Sequence, residues 1–196
     1  MRGFSQSTET EGVEMRKITA GLFMSLDGVV ESPDKWHFPY FNDEMGEAVG
    51  GQMAESDTML LGRQTYQEFA AYWPQQSNDV PPADFMNGVA KLVVSTTLGP
   101  DLEWENSTLV GDVSELAKYK EQDGKNISIT GSPTLVRSLL AEGLLDELTL
   151  LVHPIVVGSG KRLFADTDAP IPLELAESET FATGVLKLTY VPAETA

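Results

Sequence analysis

The stretch TMLLGRQTYQEF, Thr58 to Phe69, decides how the rest of the chain is read. It begins as a short apolar run, passes through Gly62 and Arg63, and from Thr65 takes up a pattern that can continue as a helix. A strand that ends in glycine and feeds a helix leaves unpaired backbone N–H groups and the positive end of a helix dipole beside an arginine. Two readings are open from this segment alone: a phosphate seat, or a plain turn with Arg63 solvated on the surface. The neighbouring segments bear on the choice.

Upstream, Ile18 to Leu26 reads ITAGLFMSL, a mostly apolar run that suits a strand buried on both faces, with small Ala20 and Gly21 in its middle. Small residues there serve tight helix packing or the close approach of a flat ligand. Ser25-Leu26-Asp27-Gly28 follows, and then Glu31 to Phe41, ESPDKWHFPYF, which two prolines keep out of regular structure. A loop carrying Trp36, His37, Phe38 and Tyr40 has the aromatic surface of a lid over a substrate, or of rings folded onto the core edge. Asn42-Asp43 then offers an N-cap and acidic first turn for a helix running to about Glu55.

Downstream, Ala70 to Gly88 reads as a long loop rich in Pro, Gln and Asn. Lys91 to Ser95 is a short buried strand, and Ser95-Thr96-Thr97 gathers three hydroxyls at its carboxyl end, where they can bind phosphate oxygens or cap a turn. Leu109-Val110 is a weak strand, and Asp112 or Ser114 caps a helix through about Gln122. Asn126 to Thr130 is another strand, which meets a helix from Leu135 to Ala141 through Gly131-Ser132-Pro133-Thr134. This is a second strand–glycine–helix junction. Asp146 to Val157 reads as a long strand interrupted at Pro154, with His153 a packed or edge histidine, followed by the glycine turn Gly158 to Phe164 that carries Lys161 and Arg162. Leu173 to Glu179 and Gly184 to Val191 form a hairpin. The succession predicts an α/β fold, a mostly parallel sheet flanked by helices with an antiparallel C-terminal hairpin, whose ligand edge is the carboxyl end of the strands.

Composition narrows the function. With 196 residues the chain fits one domain from 15 to 196, preceded by a polar, acidic segment, 1 to 14, read as a disordered extension. Thirteen basic against 30 acidic side chains give a formal charge of −17, which opposes nucleic acid or an anionic membrane surface as the main partner. No cysteine and two histidines speak against thiol chemistry, iron–sulfur ligation and the usual zinc sites, so no metal is expected. Without a secretory signal or an apolar run of roughly 20 residues, a cytoplasmic protein is the expectation.

Leu61-Gly62-Arg63-Gln64-Thr65-Tyr66 resembles the GRxTY segment of the dihydrofolate reductase fold. Ser25-Leu26-Asp27-Gly28, together with Pro154 to Phe164 (PIVVGSGKRLF), is similar to the reductase domain of the bifunctional deaminase-reductase of riboflavin biosynthesis. The likeness runs from about Lys17 to Val191, as a stand-alone reductase domain without a deaminase half. The resemblance implies a dihydrofolate reductase-like fold, a homodimer, and NADPH across the carboxyl edge of the sheet. Arg63 and Thr65, after Gly62, with Ser95 and Thr96, would hold the adenosine 2′-phosphate and nearby pyrophosphate. Gly131, Ser132, Thr134 and Leu135 would line the second seat, Gly158 would contribute from its turn, and Ala20 would meet the nicotinamide amide. Asp27 is the implied catalytic and substrate contact, although Asp27-Gly28 by itself also reads as a turn, with Trp36, His37 and Phe38 of the lid and Glu47 as further substrate contacts. Glu47 adjoins Gly46, where the helix carboxylate of dihydrofolate reductases falls by spacing. Where the riboflavin-type reductases place an acidic residue before a Gly-Gly pair, this chain has Thr130-Gly131-Ser132. The expected reaction is hydride transfer from NADPH to a small pyrimidine- or pterin-like heterocycle or a carbonyl compound, which needs no enzymic nucleophile. The alternative is an inactive NADPH- or nucleotide-binding module of the same fold.

Overall fold

The computed structural model describes residues 15–77, 79–80, 82–164 and 169–193, so the extension read at 1–14 lies outside the described residues. β1 (Ile18–Ser25) is flanked on both edges and mostly buried, as its apolar and small residues predict. The other strands are β2 (Ser56–Gly62), β3 (Ala90–Val94), β4 (Ser107–Val110), β5 (Asn126–Thr130), β6 (Glu147–His153), β7 (Leu173–Thr180) and β8 (Leu186–Pro192). They form one eight-stranded sheet in the order β4-β3-β2-β5-β1-β6-β8-β7. Strands β4 to β6 in that order run parallel, and β8 and β7 add antiparallel pairs at one end.

Local chemistry sets the helices. α1 (Asp43–Ala54) starts where Asn42 Oδ1 accepts the Met45 N–H at 3.0 Å, with Asp43 and Glu44 in the first turn. α2 (Arg63–Tyr72) and α5 (Pro133–Ala141) start from the two glycine junctions. Between Asp112 and Lys120 a capping box opens a 3-10 turn that continues as α4 (Ala117–Lys120).

The predicted long loop from Ala70 is instead largely ordered. α2 continues to Tyr72, a 3-10 turn covers Trp73–Gln75, and α3 spans Ala83–Gly88. Burial accounts for the difference: Phe69, Trp73, Phe85 and Met86 pack with Met59, Leu61, Val93 and Trp104 in one cluster, and tertiary packing outweighs the polar composition. The strand predicted to Val157 stops at His153, because Pro154 has no N–H to continue the ladder.

Two faces of the sheet carry the core. Ile18, Ala20, Leu22, Leu60 and Ile129 pack with α5 through Leu135, Val136 and Leu139. Met45 of α1 joins Leu151, Phe181 and Val185 in a separate cluster. The chain steps outward from β1 through β2 and β3 to β4, then returns through β5 to β6. The reversal therefore falls at β1 and β5, the place in such sheets where a crevice opens beyond the strand ends.

Candidate functional site

At that reversal β5 stops at Thr130, which pairs with Gly21, while β1 runs on to Ser25. The missing strand end leaves a notch, and a cleft of about 730 Å³ occupies it, within the range of small-molecule sites. Its floor includes Gly21, Leu22, Phe23 and Thr130; its walls are the starts of α2 and α5 and the segment from Val30 to His37.

The two helix starts are tied together by one hydroxyl. Gly62 N–H donates to Ser132 Oγ at 2.9 Å, and Ser132 Oγ donates to Thr65 Oγ1 at 2.7 Å. Gly131 has φ of 87°, a left-handed conformation that favours glycine, and Ser132 follows at φ of 57° as the N-cap of α5. Neither Gly62 nor Ser132 caps its helix with a side chain. The first-turn N–H groups of α2, and those of α5 after Pro133, which has none, are thus left without a side-chain cap at residues that line the cleft. Ser132, expected as a cofactor ligand, has its hydroxyl engaged in holding the junctions in register.

Beside this double junction stands Arg63, which lines the cleft and donates to Thr97 Oγ1 at 3.2 Å. It has no carboxylate within ion-pair distance among the described residues. Ser95 Oγ accepts the N–H groups of Thr97 and Leu98 at 3.2 and 3.1 Å, so this hydroxyl closes a turn. Thr96 is exposed. The hydroxyl that meets Arg63 is thus Thr97, the last of the three in the Ser-Thr-Thr signal and the one not singled out from sequence.

Gly62, Thr65, Gly131, Thr134 and Leu135 line the cleft, as does His37. Others fall elsewhere. Ala20 is buried among core side chains, and its neighbour Gly21 reaches the cleft instead. Glu47 lines a separate cavity of about 430 Å³ between α1 and the sheet, alongside Gln52 and Thr149. Spacing places Glu47 on α1, but the packing of α1 turns it away from the cleft. Trp36 is buried and its indole N–H donates to Glu31 O at 3.1 Å, whereas Phe38 is exposed.

Asp27 requires the largest correction. Its carboxylate accepts Ser25 Oγ–H at 2.7 Å and the N–H groups of Val157 and Gly158 at 3.0 and 2.9 Å, with Arg162 at 3.5 Å. Gly158, expected at the cofactor, is engaged here. The Ser25 hydroxyl first, and the Val157 N–H second, push the Asp27 carboxyl down to about 2 from its ordinary 3.8. A carboxylate so held has no proton to give at neutral pH, and it straps the loop after β1 to the turn after β6. Because its folded value lies below the unfolded one, its contribution is present above 3.8 and is lost as pH falls toward about 2. Asp27→Ala is therefore expected to lower the melting temperature at pH 7, and the gap from wild type should close between about pH 4 and about pH 2. A gap that persists unchanged at pH 2 contradicts the strap.

Two imidazoles sit where β1, β6 and the lid meet. His37 is 7% exposed and lies between the rings of Phe23 and Phe38, at centroid distances of 4.6 and 4.2 Å. Its Nδ1 is buried without a partner among the described residues. His153 is fully buried; its Nδ1 lies 2.8 Å from Leu151 O, an acceptor, so Nδ1 carries the proton and Nε2 is left as an unpaired acceptor. Burial lowers both imidazoles from 6.5, and in His37 the neighbouring His153 adds to it, so both are neutral at pH 7. Lys161 was also missed from sequence: it lines the cleft and its ammonium donates to Gln64 Oε1 at 2.8 Å.

Comparison with known proteins agrees with this architecture. Protein YyaP of Bacillus subtilis (strain 168) is 29% identical over 190 residues, covering 92% of this chain and 97% of that protein. A protein named for riboflavin biosynthesis from Shewanella sp. PV-4 superposes with a TM-score of 0.71 at 21% identity, over 91% of this chain and 99% of that one. Dihydrofolate reductase from Enterococcus faecalis, solved with NADP(H), has a TM-score of 0.63 at 16% identity, over 91% of this chain and 97% of that one. At such identities the structural likenesses establish the shared fold. The model of the RibD C-terminal domain matches residues 16–187, and the chain belongs to that family.

Proposed function

We propose that the protein is an NADPH-dependent reductase that passes a hydride to a small heterocyclic or carbonyl substrate. The observation that carries this reading is Arg63, a cation without a carboxylate partner among the described residues, beside two helix N-termini without side-chain caps that Ser132 Oγ ties together by hydrogen bonds of 2.9 and 2.7 Å. One dinucleotide has the charges for this arrangement: a 2′-phosphate for Arg63 and a pyrophosphate for the helix starts. The left-handed Gly131-Ser132 corner supports the fit, since it brings backbone close to where phosphate oxygens would lie. NADP(H) in the Enterococcus faecalis reductase, which shares the fold, is in keeping with it.

In this reading Arg63 and Thr65 hold the 2′-phosphate end, and the N–H groups of α5 with Thr134 hold the pyrophosphate. Gly21 offers β1 backbone to a flat ring on the cleft side, its missing side chain making room for Gln52 of α1 on the other, and Phe23 and His37 cover the far end. The cofactor supplies the hydride, and the protein supplies position and exclusion of water. A homodimer in the cytoplasm completes the proposal, with β7, one of the two edge strands of the sheet, available on each copy.

NADPH at about 100 times its Kd is expected to raise the melting temperature by roughly 5–10 °C, corresponding to about 2.7 kcal/mol of binding linkage. Oxidation of NADPH is then followed with pyrimidine, pterin and dicarbonyl compounds. No shift with NADPH overturns the reading. A shift without oxidation across the panel makes the protein a dinucleotide-binding module.

A further inference from the structure

The cleft is electrostatically divided. At the helix junctions Arg63 has no carboxylate within ion-pair distance among the described residues. At the lid end the ionisable groups lining the cleft are Glu31, Asp34, His37 and Lys161, and Glu68 of α2 adds a further carboxylate to the wall, bonded to the same Gln64 that Lys161 meets. Lys161 is already engaged: its N–H donates to Glu31 Oε2 at 3.2 Å, its ammonium lies 3.8 Å from Glu31 Oε1, and it donates to Gln64. Arg162 is turned out of the cleft, donating to Asp27 O at 2.9 Å beside the Asp27 carboxylate. Lys35, on the same 3-10 turn as Asp34, is exposed and does not line the cleft. With Lys161 balanced by Glu31, Asp34 leaves the lid end negative in a chain of formal charge −17.

His37 adds a second observation at the same place. It is more than nine-tenths buried and lines the cleft, and while its backbone is paired with Pro33 and Tyr40, its ring Nδ1 is buried without a partner among the described residues. Phe23 lies parallel against it, 21° from coplanar, so the pair presents an aromatic wall with one unsatisfied polar edge. A buried polar ring without a partner is costly unless a ligand supplies one.

We propose that the lid end of the cleft takes a planar ring system bearing neither phosphate nor carboxylate, neutral or cationic, seated against Phe23 and His37 and kept free of anions by Glu31 and Asp34. This rests on the reading that the junction end holds the dinucleotide, and it narrows the substrate of that same site. Phosphorylated rings are rejected because Lys161, the only cation lining that end among the described residues, is already paired and the carboxylates repel them.

The test is calorimetric and uses protein saturated with NADP⁺, so that nothing turns over. Two matched pairs are titrated: uridine against uridine 5′-monophosphate, and 6-hydroxymethylpterin against its phosphate ester. At least one unphosphorylated member is expected to bind about 10-fold or more tightly than its ester. In the double variant Glu31→Gln, Asp34→Asn that preference should fall to about 3-fold or less, while His37→Ala weakens both members alike. Lack of that preference in both pairs overturns the proposal, as does failure of all four compounds to bind at millimolar concentration. If NADP⁺ itself gives no binding, the dinucleotide reading fails separately. The same titrations into Arg63→Ala protein, which removes the other anion seat, then still decide the lid end.

Discussion

Arg63→Ala is expected to weaken NADPH binding on the order of 100-fold while changing NADH binding by less than about 3-fold, because the lost contact is to a phosphate that NADH lacks. A charge-assisted hydrogen-bond pair contributes about 1.5–3 kcal/mol, and 100-fold corresponds to about 2.7 kcal/mol. The guanidinium is well placed for such a role. It sits in the first turn of α2, its one hydrogen bond goes to the Thr97 hydroxyl, and no carboxylate among the described residues neutralises it. The fold does not depend on it, since Gly62 and Thr65 are held by Ser132. Circular dichroism and the ligand-free melting temperature should therefore be unchanged, which separates a binding loss from a folding loss. Affinities from fluorescence titration with both cofactors check the prediction. An equal loss for NADH and NADPH would move Arg63 to the pyrophosphate.

What could be read from sequence follows the range of the interactions involved. The junctions at Gly62 and Gly131 were legible because a strand end, a glycine and a helix start are all local, and Asn42 was legible as a cap for the same reason. Ser132 was correctly placed at a junction, but its role was not visible, because the hydrogen bond that defines it joins residues 70 positions apart. Asp27 shows the same limit more sharply. Asp-Gly after a strand reads equally as a turn or a ligand contact, and the donors that make it a strap, Val157 and Gly158, lie 130 and 131 residues away. Glu47 was located on the right helix by counting, but counting does not give the direction in which α1 packs. The segment after Ala70 looked like a loop because its Pro, Gln and Asn are local signals, whereas the burial of Phe85 and Met86 that orders α3 is tertiary. Charge at the cleft divides likewise: Arg63 was found by motif, while the pairing of Lys161 with Glu31 needed the fold.

A buried lysine on the strand next to the junctions carries the largest stability effect. Lys91, read from sequence only as the start of a short buried strand, is 1% exposed in β3. Its ammonium donates to Asn87 O at 3.0 Å, Val89 O at 2.8 Å and Glu105 O at 3.2 Å, and stands 4.3 Å from the Trp104 ring centre. Three donors meet three acceptors, closing the end of α3 and the loop before β4 onto β3. The same Asn87 accepts the Trp104 indole N–H at 3.0 Å and donates to Trp73 O at 3.0 Å, so the lysine anchors a wider polar network. Lys91→Met keeps the volume and leaves three carbonyls without their donor, at an expected cost of about 3 kcal/mol and a fall in melting temperature of roughly 6–12 °C. Burial pushes the Lys91 ammonium down to about 8 from 10.5. Between those values the folded chain releases a proton that the unfolded chain keeps, so wild-type stability rises with pH relative to Lys91→Met across that window. Urea unfolding of both proteins at pH 7 and pH 10 checks both parts. A Met variant as stable as wild type at pH 7 would show that water replaces the ammonium on these carbonyls, and a difference that shrinks toward pH 10 would show that the charged form is the one the site favours. Because β3 delivers Ser95 and Thr97 to Arg63, loosening it should also weaken NADPH binding, by less than the loss of Arg63 itself.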